Sequence, residues 1–498
     1  MTPAPSSTGQ TPWEPLGSAG FSAELQEQFA AWSGDRNPVH LDAAAARESA
    51  FEAPIVHGLN LVLCALDRHA ASGAPGMWET LRAVFRKPVF VGETVALRRR
   101  KTARGWDLQG ALDDSLLFEI RLTDSPSESR VPSDPAFDSR SDVFDQAAPA
   151  EPDFAQTPAE SVRGSLAFTA NLAGLVDHYP ALAAACGAGD IASMALISTV
   201  VGMIWPGKRS VIGEVELSRA PNDAMSEALR YHLEELHPAL PITRLALEAP
   251  SFHGSVLAFI RPEPVRQPTI AELMNAVRPQ EFTGEHALIV GGARGLGEVA
   301  AKLIAAGGGH PTITYHSRNG QTRAEAVAAD IHSHGLTCDV ARFDVSEPSA
   351  LDALDLSRVT ALLYFPSPPI FRRRHKPFHA EHLAEFMDVY VTAFEQTVRA
   401  TRARSGAKVL NIFVPSSVAV EEHTSGLLEY VAAKAAAEAL AWGLEKEMAG
   451  VHFVVGRLPR ISTDQTNSIF STATTGAADA ILPWLRRLTS GQVASAHA

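Results

Sequence analysis

The pattern that most restricts the fold lies in the C-terminal half. "HALIVGGARGLGEVAAKLIAAGG" (286–308) is a short apolar run, a glycine turn and an apolar helix. "TITYHSR", "VARFDV", "VTALLYF", "AKVLNIFVPSS" and "VHFVVGRLP" follow as further short strands, with helical stretches between them. The helix "EYVAAKAAAEALAWGLEKEMA" precedes the last of these. Strands that are apolar throughout and alternate with helices predict a parallel, doubly wound α/β sheet over 284–490.

The N-terminal half carries a different rhythm. After residues 1–20, rich in Pro, Ser, Thr and Gly and expected to be flexible, a helix over 21–33 leads into "SGDRNPVHLD". Pro38 excludes a regular helix across that loop, so Asp35, Asn37 and His40 are held together on irregular backbone. A long apolar helix begins near Gly58, and "LRAVFRKPVFVGETVALRRRK" and "WDLQGALDDSLLFEIRLTD" then read as antiparallel strands. Residues 126–160 read as a linker. Residues 161–275 repeat the plan of 21–125: a helix over about 190–204, then "WPGKRSVIGEVELSR", "LPITRLALEA" and "GSVLAFIRPE". The repeat lies in the architecture rather than the residues, and this second copy has no counterpart of the Asp35–His40 set.

Composition limits the partners. A formal charge of -13 over 498 residues provides no basic field for nonspecific nucleic-acid binding. Cys64, Cys186 and Cys338 are far apart, with neither metal spacing nor a disulfide framework, which fits a reducing cytoplasm. No metal is expected. The N-terminus lacks the features of a signal peptide, and apolar runs such as "MALISTVVGMIW" (194–205) are too short to span a bilayer.

Two sets of residues carry chemistry. In the C-terminal half, "GGARGLG" follows a strand and opens a helix, the setting in which glycines let backbone N–H groups approach a pyrophosphate. Tyr430 and Lys434 lie one helical turn apart, and Ser417 ends a strand. A lysine so placed can depress a phenol's pKa, and the phenol can give a proton to a carbonyl oxygen. This region, about 284–470, resembles the short-chain dehydrogenase/reductase family. The resemblance implies catalysis by Ser417, Tyr430 and Lys434, and a cofactor held by Gly291, Arg294, Gly295, Leu296, Gly297, Arg318 and Asp344. Arg294 and Arg318 stand where members preferring NADP place cations, and no acidic residue ends "TITYHSR"; NADP (NADPH) is therefore expected, with simple solvation the alternative for the two arginines. The chain departs from the family at Val290, at "FPSP" (365–368), at Tyr390 in place of the catalytic-set asparagine, and at "LPR" (458–460).

The Asp35-x-Asn-Pro-x-His40 loop, with "FEAPIVHGL" and "VFRKPVFVGET", resembles the MaoC-like (R)-specific enoyl-thioester hydratases, which have the hotdog fold. The resemblance makes Asp35 and His40 an acid/base pair, has Asn37 orient them, and places the thioester oxygen near Gly58. His57 is expected to be structural. The expected fold is a tandem (double) hotdog followed by a Rossmann-like doubly wound sheet. The expected function joins reduction of a 3-ketoacyl thioester to interconversion of 3-hydroxyacyl and 2-enoyl thioesters, in either direction. The substrates are thioesters of coenzyme A or acyl carrier protein. Two alternatives stand beside it: a hydratase with a non-reducing nucleotide-binding or scaffold domain, and a noncatalytic docking component. "RRRK" (98–101) and "FRRRHK" (371–376) are either grips for phosphate or an acidic carrier, or solvated faces. By family resemblance the chain is expected to form a homodimer or higher homo-oligomer through the helix carrying Tyr430.

Overall fold

Two helices are apolar around most of their circumference, which requires that each be enclosed. In Gly58–Ala71, eight side chains are buried, among them Leu59, Leu63 and Leu66; in Ala188–Thr199, every residue from Asp190 to Thr199 is buried. A ten-stranded antiparallel sheet supplies the enclosure. The computed structural model describes residues 11–490 except 48, 50, 52, 75–77, 114, 125–147, 168–171, 221–227, 371–377, 464–465 and 467–472. It divides into two compact units, with the boundary between Glu263 and Pro264.

The first unit contains β1 (Glu14–Gly20), β2 (Thr80–Phe85), β3 (Thr94–Thr102), β4 (Gly105–Leu112) and β5 (Ser115–Thr123), then β6 (Arg163–Ala167), β7 (Ser210–Arg219), β8 (Ala228–Leu236), β9 (Ile242–Glu248) and β10 (Phe252–Ile260). Their order across the sheet is β1-β3-β4-β5-β2-β7-β10-β9-β8-β6. Within each set of five the order is the same: first, third, fourth, fifth, second. The sets join edge to edge where β2 pairs with β7, from Thr80 opposite Ser218 to Val84 opposite Glu214. Each set places its long helix between its first two strands, and one apolar core embraces both helices. Pairing the second strands removes an edge from each set.

The second unit contains β11 (His286–Val290), β12 (His310–Tyr315), β13 (Asp339–Arg342), β14 (Ala361–Tyr364), β15 (Leu410–Ser417) and β16 (Val451–Leu458). All pairings are parallel, in the order β13-β12-β11-β14-β15-β16. The order reverses beside β11, which creates the crevice at the carboxyl ends of β11 and β14 where such sheets bind ligands. Among the described residues no single helix is long and apolar enough to cross a membrane.

Three boundaries differ from expectation. Residues 14–20 are not flexible: they form the edge strand β1, paired to β3 from Glu14 opposite Arg99 to Gly20 opposite Thr94. Of the linker expected over 126–160, residues 126–147 lie outside the described residues, while part of the remainder is fastened to the second set of strands. Ala150 N donates to Met203 O at 2.8 Å, Lys208 N donates to Ala150 O at 2.9 Å, and the Phe154 ring meets Trp205. Residues 264–275, expected to end the second antiparallel domain, instead belong to the parallel unit. Buried Lys302 draws them there through Pro268 O (2.9 Å), and Asp330 accepts from Ile270 N (3.1 Å).

Of the basic runs, "FRRRHK" lies outside the described residues. "RRRK" lies on β3, where Arg98 and Arg100 cover Trp13 while Arg99 and Lys101 cover Trp106. Glu14, Asp107 and Gln109 take their hydrogen bonds, so this run forms a solvated, aromatic-backed face.

The enclosed helix should be the stability determinant of the first unit. Leu63→Ala, at a fully buried position, is expected to cost about 2–5 kcal/mol. Denaturant unfolding checks this, and a loss below about 1 kcal/mol contradicts the packing described.

Candidate functional site

The opening loop is built by capping. Helix Ala23–Ser33 stops at Gly34, whose φ of 85° needs glycine. Asn37 then caps the short turn Pro38–Leu41 by accepting from Val39 N at 3.2 Å. Its amide nitrogen donates to the carbonyls of Gly202 (3.0 Å), Gly207 (3.1 Å) and Lys208 (3.3 Å). Asn37 is thus the bolt between the loop and the second set of strands. The π-helical turn Val200–Ile204, at the end of the enclosed helix, contributes one of these acceptors.

Asp35 is almost wholly buried. Its Oδ2 accepts from Ser198 Oγ at 2.6 Å and its Oδ1 from Asn37 N at 3.1 Å. A side chain at Gly202 would overlap the carboxylate, so glycine is required where the helix passes it. His40 donates from Nδ1 to Ile55 O at 2.7 Å, which leaves Nε2 free to act, 4.0 Å from Asp35 Oδ2. One water can bridge two groups at that spacing. Burial pushes the Asp35 pKa up, opposed by His40 and by the Ser198 and Asn37 donors. Burial pushes His40 down, opposed by Asp35. The two shifts bring the pair toward a shared proton, the condition for exchanging acid and base roles.

His57 serves the loop. It stacks on His40 at 3.9 Å, and its ring nitrogens face Gln26 Oε1 (3.0 Å) and Asp35 O (3.1 Å). Asp35, His40 and His57 place one donor atom each within 4.8 Å of one another, but a cation would have to displace the contact of whichever His57 nitrogen ligated it. Gly58 opens the helix beside this group; its N–H has no acceptor among the described residues, and Phe85 packs against its α-carbon.

The matching locus of the second set, at the N-terminal end of its helix, the end of β7 and the start of β2, holds a different cluster. Asp190 pairs with Arg219 and accepts from Ser251 Oγ, while Arg219 lies 4.5 Å from the centre of the Trp78 ring. That locus is closed by an ion pair.

In the parallel unit, Gly291 (φ 78°) turns the chain out of β11, and Gly297 packs directly on the Gly291 carbonyl, where a side chain would collide. Arg294 is the N-cap of helix Gly295–Ala306 and Leu296 lies in its first turn. Thr314 supplies the hydroxyl that accepts from Gly291 N (3.2 Å), a function that Val290 cannot serve. Arg318 begins helix Arg318–His332, after β12. Asp344 accepts from Ser346 N (3.0 Å) and Oγ (2.7 Å) in a tight turn after β13. The glycine cradle at a helix N-terminus fits the diphosphate of a dinucleotide.

Ser417, Tyr430 and Lys434 come together at the end of β15 and on helix Leu428–Glu447. Burial pushes Tyr430 up to about 12, opposed by its hydrogen bond with Ser417, so the phenol is held in the proton-donating form. Lys434 is driven down to about 7 by burial, opposed by Glu438. The expected depression of the phenol by the lysine is therefore not what this geometry shows. Lys434 donates to Pro415 O at 2.8 Å and lies 3.8 Å from the centre of the Tyr390 ring. Tyr390 sits on a π-helical turn, Asp388–Ala393, and its hydroxyl meets Ser367 Oγ at 2.6 Å. The two departures, Tyr390 and "FPSP", thus touch each other.

Sequence reasoning missed Ser198, Gly202, Thr314 and Ser367. Each lies far in sequence from the group it serves.

Comparison with known proteins gives two family matches: "MaoC like domain" over residues 10–109 and "short chain dehydrogenase" over 285–473. The (R)-specific enoyl-CoA hydratase of Aeromonas caviae is 40% identical over 85 residues, 17% of this chain and 63% of that protein. The mitochondrial 3-hydroxyacyl-[acyl-carrier-protein] dehydratase of Arabidopsis thaliana is 36% identical over 76 residues, 15% of this chain and 45% of that protein. The chain thus spans less than two thirds of either relative's length. Among solved structures, a short chain dehydrogenase from Burkholderia cenocepacia J2315 in complex with NADP is 23% identical, with a TM-score of 0.37, covering 42% of this chain and 91% of that one. A dehydrogenase/reductase from Sinorhizobium meliloti 1021 is 21% identical, with a TM-score of 0.37, covering 42% and 90%.

The buried Lys434 links stability to pH. Its folded pKa, about 7, lies below the ordinary 10.5, so between these values the unfolded chain binds more protons and wild-type stability rises with pH. Lys434→Met removes that gain. The stability of the wild type relative to the variant should therefore increase from pH 7 toward pH 10, as measured by denaturant unfolding; a constant difference contradicts the buried-cation assignment.

Proposed function

We propose that this chain, which joins a MaoC-like domain at its N-terminus to a short-chain dehydrogenase domain at its C-terminus, is a bifunctional acyl-thioester enzyme. One activity is NADPH-dependent reduction of a 3-ketoacyl thioester. The other is (R)-specific interconversion of 3-hydroxyacyl and 2-enoyl thioesters. The observation that carries the reading is the presence in one chain of two residue sets suited to acid/base work on a shared thioester intermediate: Asp35–His40 with a spacing for one water, and Ser417–Tyr430–Lys434 with a protonated phenol. The two relatives, named as an enoyl-CoA hydratase and a hydroxyacyl-carrier-protein dehydratase, support the thioester class.

In this reading the first unit is a tandem hotdog with a single hydration site. The oxygen of the bridging water adds to the β-carbon. Its proton passes to one member of the Asp35–His40 pair while the other gives a proton to the α-carbon. The Gly58 N–H at the helix start receives the charge that develops on the thioester oxygen. Asn37 and Ser198 hold the pair in register.

In the dehydrogenase domain, Gly291, Gly295 and Gly297 would hold the cofactor diphosphate, with Arg294 and Arg318 near the adenosine ribose, where a 2′-phosphate would distinguish NADP. When bound, the reduced nicotinamide supplies hydride. Tyr430 gives its proton to the carbonyl oxygen, Ser417 hydrogen-bonds that oxygen, and Lys434 anchors the ribose and returns the phenol to its protonated form. The narrower reading, a hydratase with a non-reducing dehydrogenase-like domain, is favoured by one contact: Tyr390 fills the space beside Lys434.

The test is NADPH oxidation with a short 3-ketoacyl thioester, with products identified by mass. The proposal predicts NADPH consumption with 2-enoyl product. His40→Ala should lower hydration by about 100- to 10,000-fold and spare reduction, whereas Tyr430→Phe should do the reverse. Hydration without NADPH consumption establishes the narrower reading. Loss of both activities in either variant contradicts two separate sites.

A further inference from the structure

Beside the hydration site lies a half-buried cation that no carboxylate among the described residues offsets. Arg261 follows β10, and its Nε and Nη2 donate to the carbonyls of Ser210 (3.4 Å) and Lys208. Among the described residues it forms no ion pair. The nearby Glu263 pairs with Arg209 at 3.2 Å, and Arg209 also faces Arg261. Burial, reinforced by Arg209, pulls the Arg261 guanidinium down to about 10. A partly desolvated charge held only by carbonyl oxygens is less well stabilised than in water, so its surroundings should show what the charge accomplishes.

Two contacts do. The residues that Arg261 grips are the ones that hold Asn37: Asn37 Nδ2 donates to Lys208 O at 3.3 Å and lies 3.5 Å from Ser210 Oγ. The Arg261 charge also lowers the His40 pKa, as the smallest of the influences on it, after burial, Asp35 and Ile55. The charged and titratable groups around His40 are Asp35 on its own loop, His57 at the start of the enclosed helix, and Arg261 from the second set of strands.

We propose that Arg261 is a positioning residue for the hydration site: its fork clamps the 208–210 backbone that locks Asn37. The proposal rests on the hydratase reading given above. A fixed positive charge disfavours a second one, so Arg261 holds His40 in its neutral form over more of the pH range. No bond is made or broken by Arg261, and it does not touch the reacting atoms.

The test is the pH dependence of kcat and KM for hydration of a short 2-enoyl thioester by the full chain, using wild type, Arg261→Gln and Arg261→Lys. In Arg261→Gln, kcat should fall about tenfold with KM changed less than about twofold. The limb of the profile governed by His40 should move to higher pH by about half a unit. Arg261→Lys keeps the charge and loses the fork, so its limb should stay in place while kcat recovers only in part. An Arg261→Gln profile that superimposes on the wild type overturns the proposal. So does an unchanged kcat with a raised KM, which would make Arg261 a substrate-binding group. If Arg261→Gln fails to fold, Arg261→Lys decides: a shifted limb or a full wild-type kcat overturns the proposal. Absence of hydration by the wild type overturns the hydratase reading beneath it instead.

Discussion

The burial of the Asp35 carboxylate against a helix from the other set of strands is the constraint on which the first unit depends. A carboxylate with almost no exposure must be met by donors, or it protonates and its loop loses definition. Ser198 and the Asn37 N–H meet it directly. Asn37 in turn needs three carbonyls from 202–208, which exist in place only because the enclosed helix ends there in a π turn. The edge-to-edge sheet and the shared core are what hold that helix end beside the loop. The second set of strands is therefore not a passive spacer: it completes the surroundings of Asp35 and His40, both of which come from the first.

The parallel unit solves a similar problem differently. Lys434 carries its charge into an apolar setting, where a carbonyl and an aromatic face stabilise it incompletely, and its pKa falls toward neutrality. Tyr390 stands where the resembled family has an asparagine, and its ring, rather than an amide, meets the ammonium. Ser367, within "FPSP", takes the Tyr390 hydroxyl. Two departures that look independent in sequence thus touch in space.

What was legible in the sequence was what repeats or lies close together. Strand–helix alternation marked the parallel sheet, and Pro38 among Asp35, Asn37 and His40 marked a loop built for chemistry. Tyr430 and Lys434 lay one turn apart on a helix. Contacts between distant segments were not legible. Ser198 lies in "MALISTVV", where a serine on an otherwise apolar helix looks like a small core residue, and only the fold turns it toward Asp35. Gly202 gives no sign that a carboxylate passes its α-carbon. The strand at 14–20 was missed because Pro15, Gly17 and the serines resemble a frayed terminus, yet the free edge of β3 holds it and Trp13 lies under Arg98 and Arg100. The 264–275 boundary was missed because its tie to the parallel unit runs through distant residues: Lys302, Asp330 and the core that Ile270 and Leu273 enter.

The most direct measurement of the central claim, that the acid/base pair of one set of strands works only with a donor from the other, is hydration of a short 2-enoyl thioester across pH by wild type and Ser198→Ala. The account predicts that the wild type hydrates and that Ser198→Ala loses about tenfold or more, since a hydrogen bond to a buried charged group is removed. Its profile should move to higher pH, because Ser198 holds the Asp35 pKa down. A variant with the wild-type rate and profile would contradict the account, and would mean that the second set of strands only encloses the site.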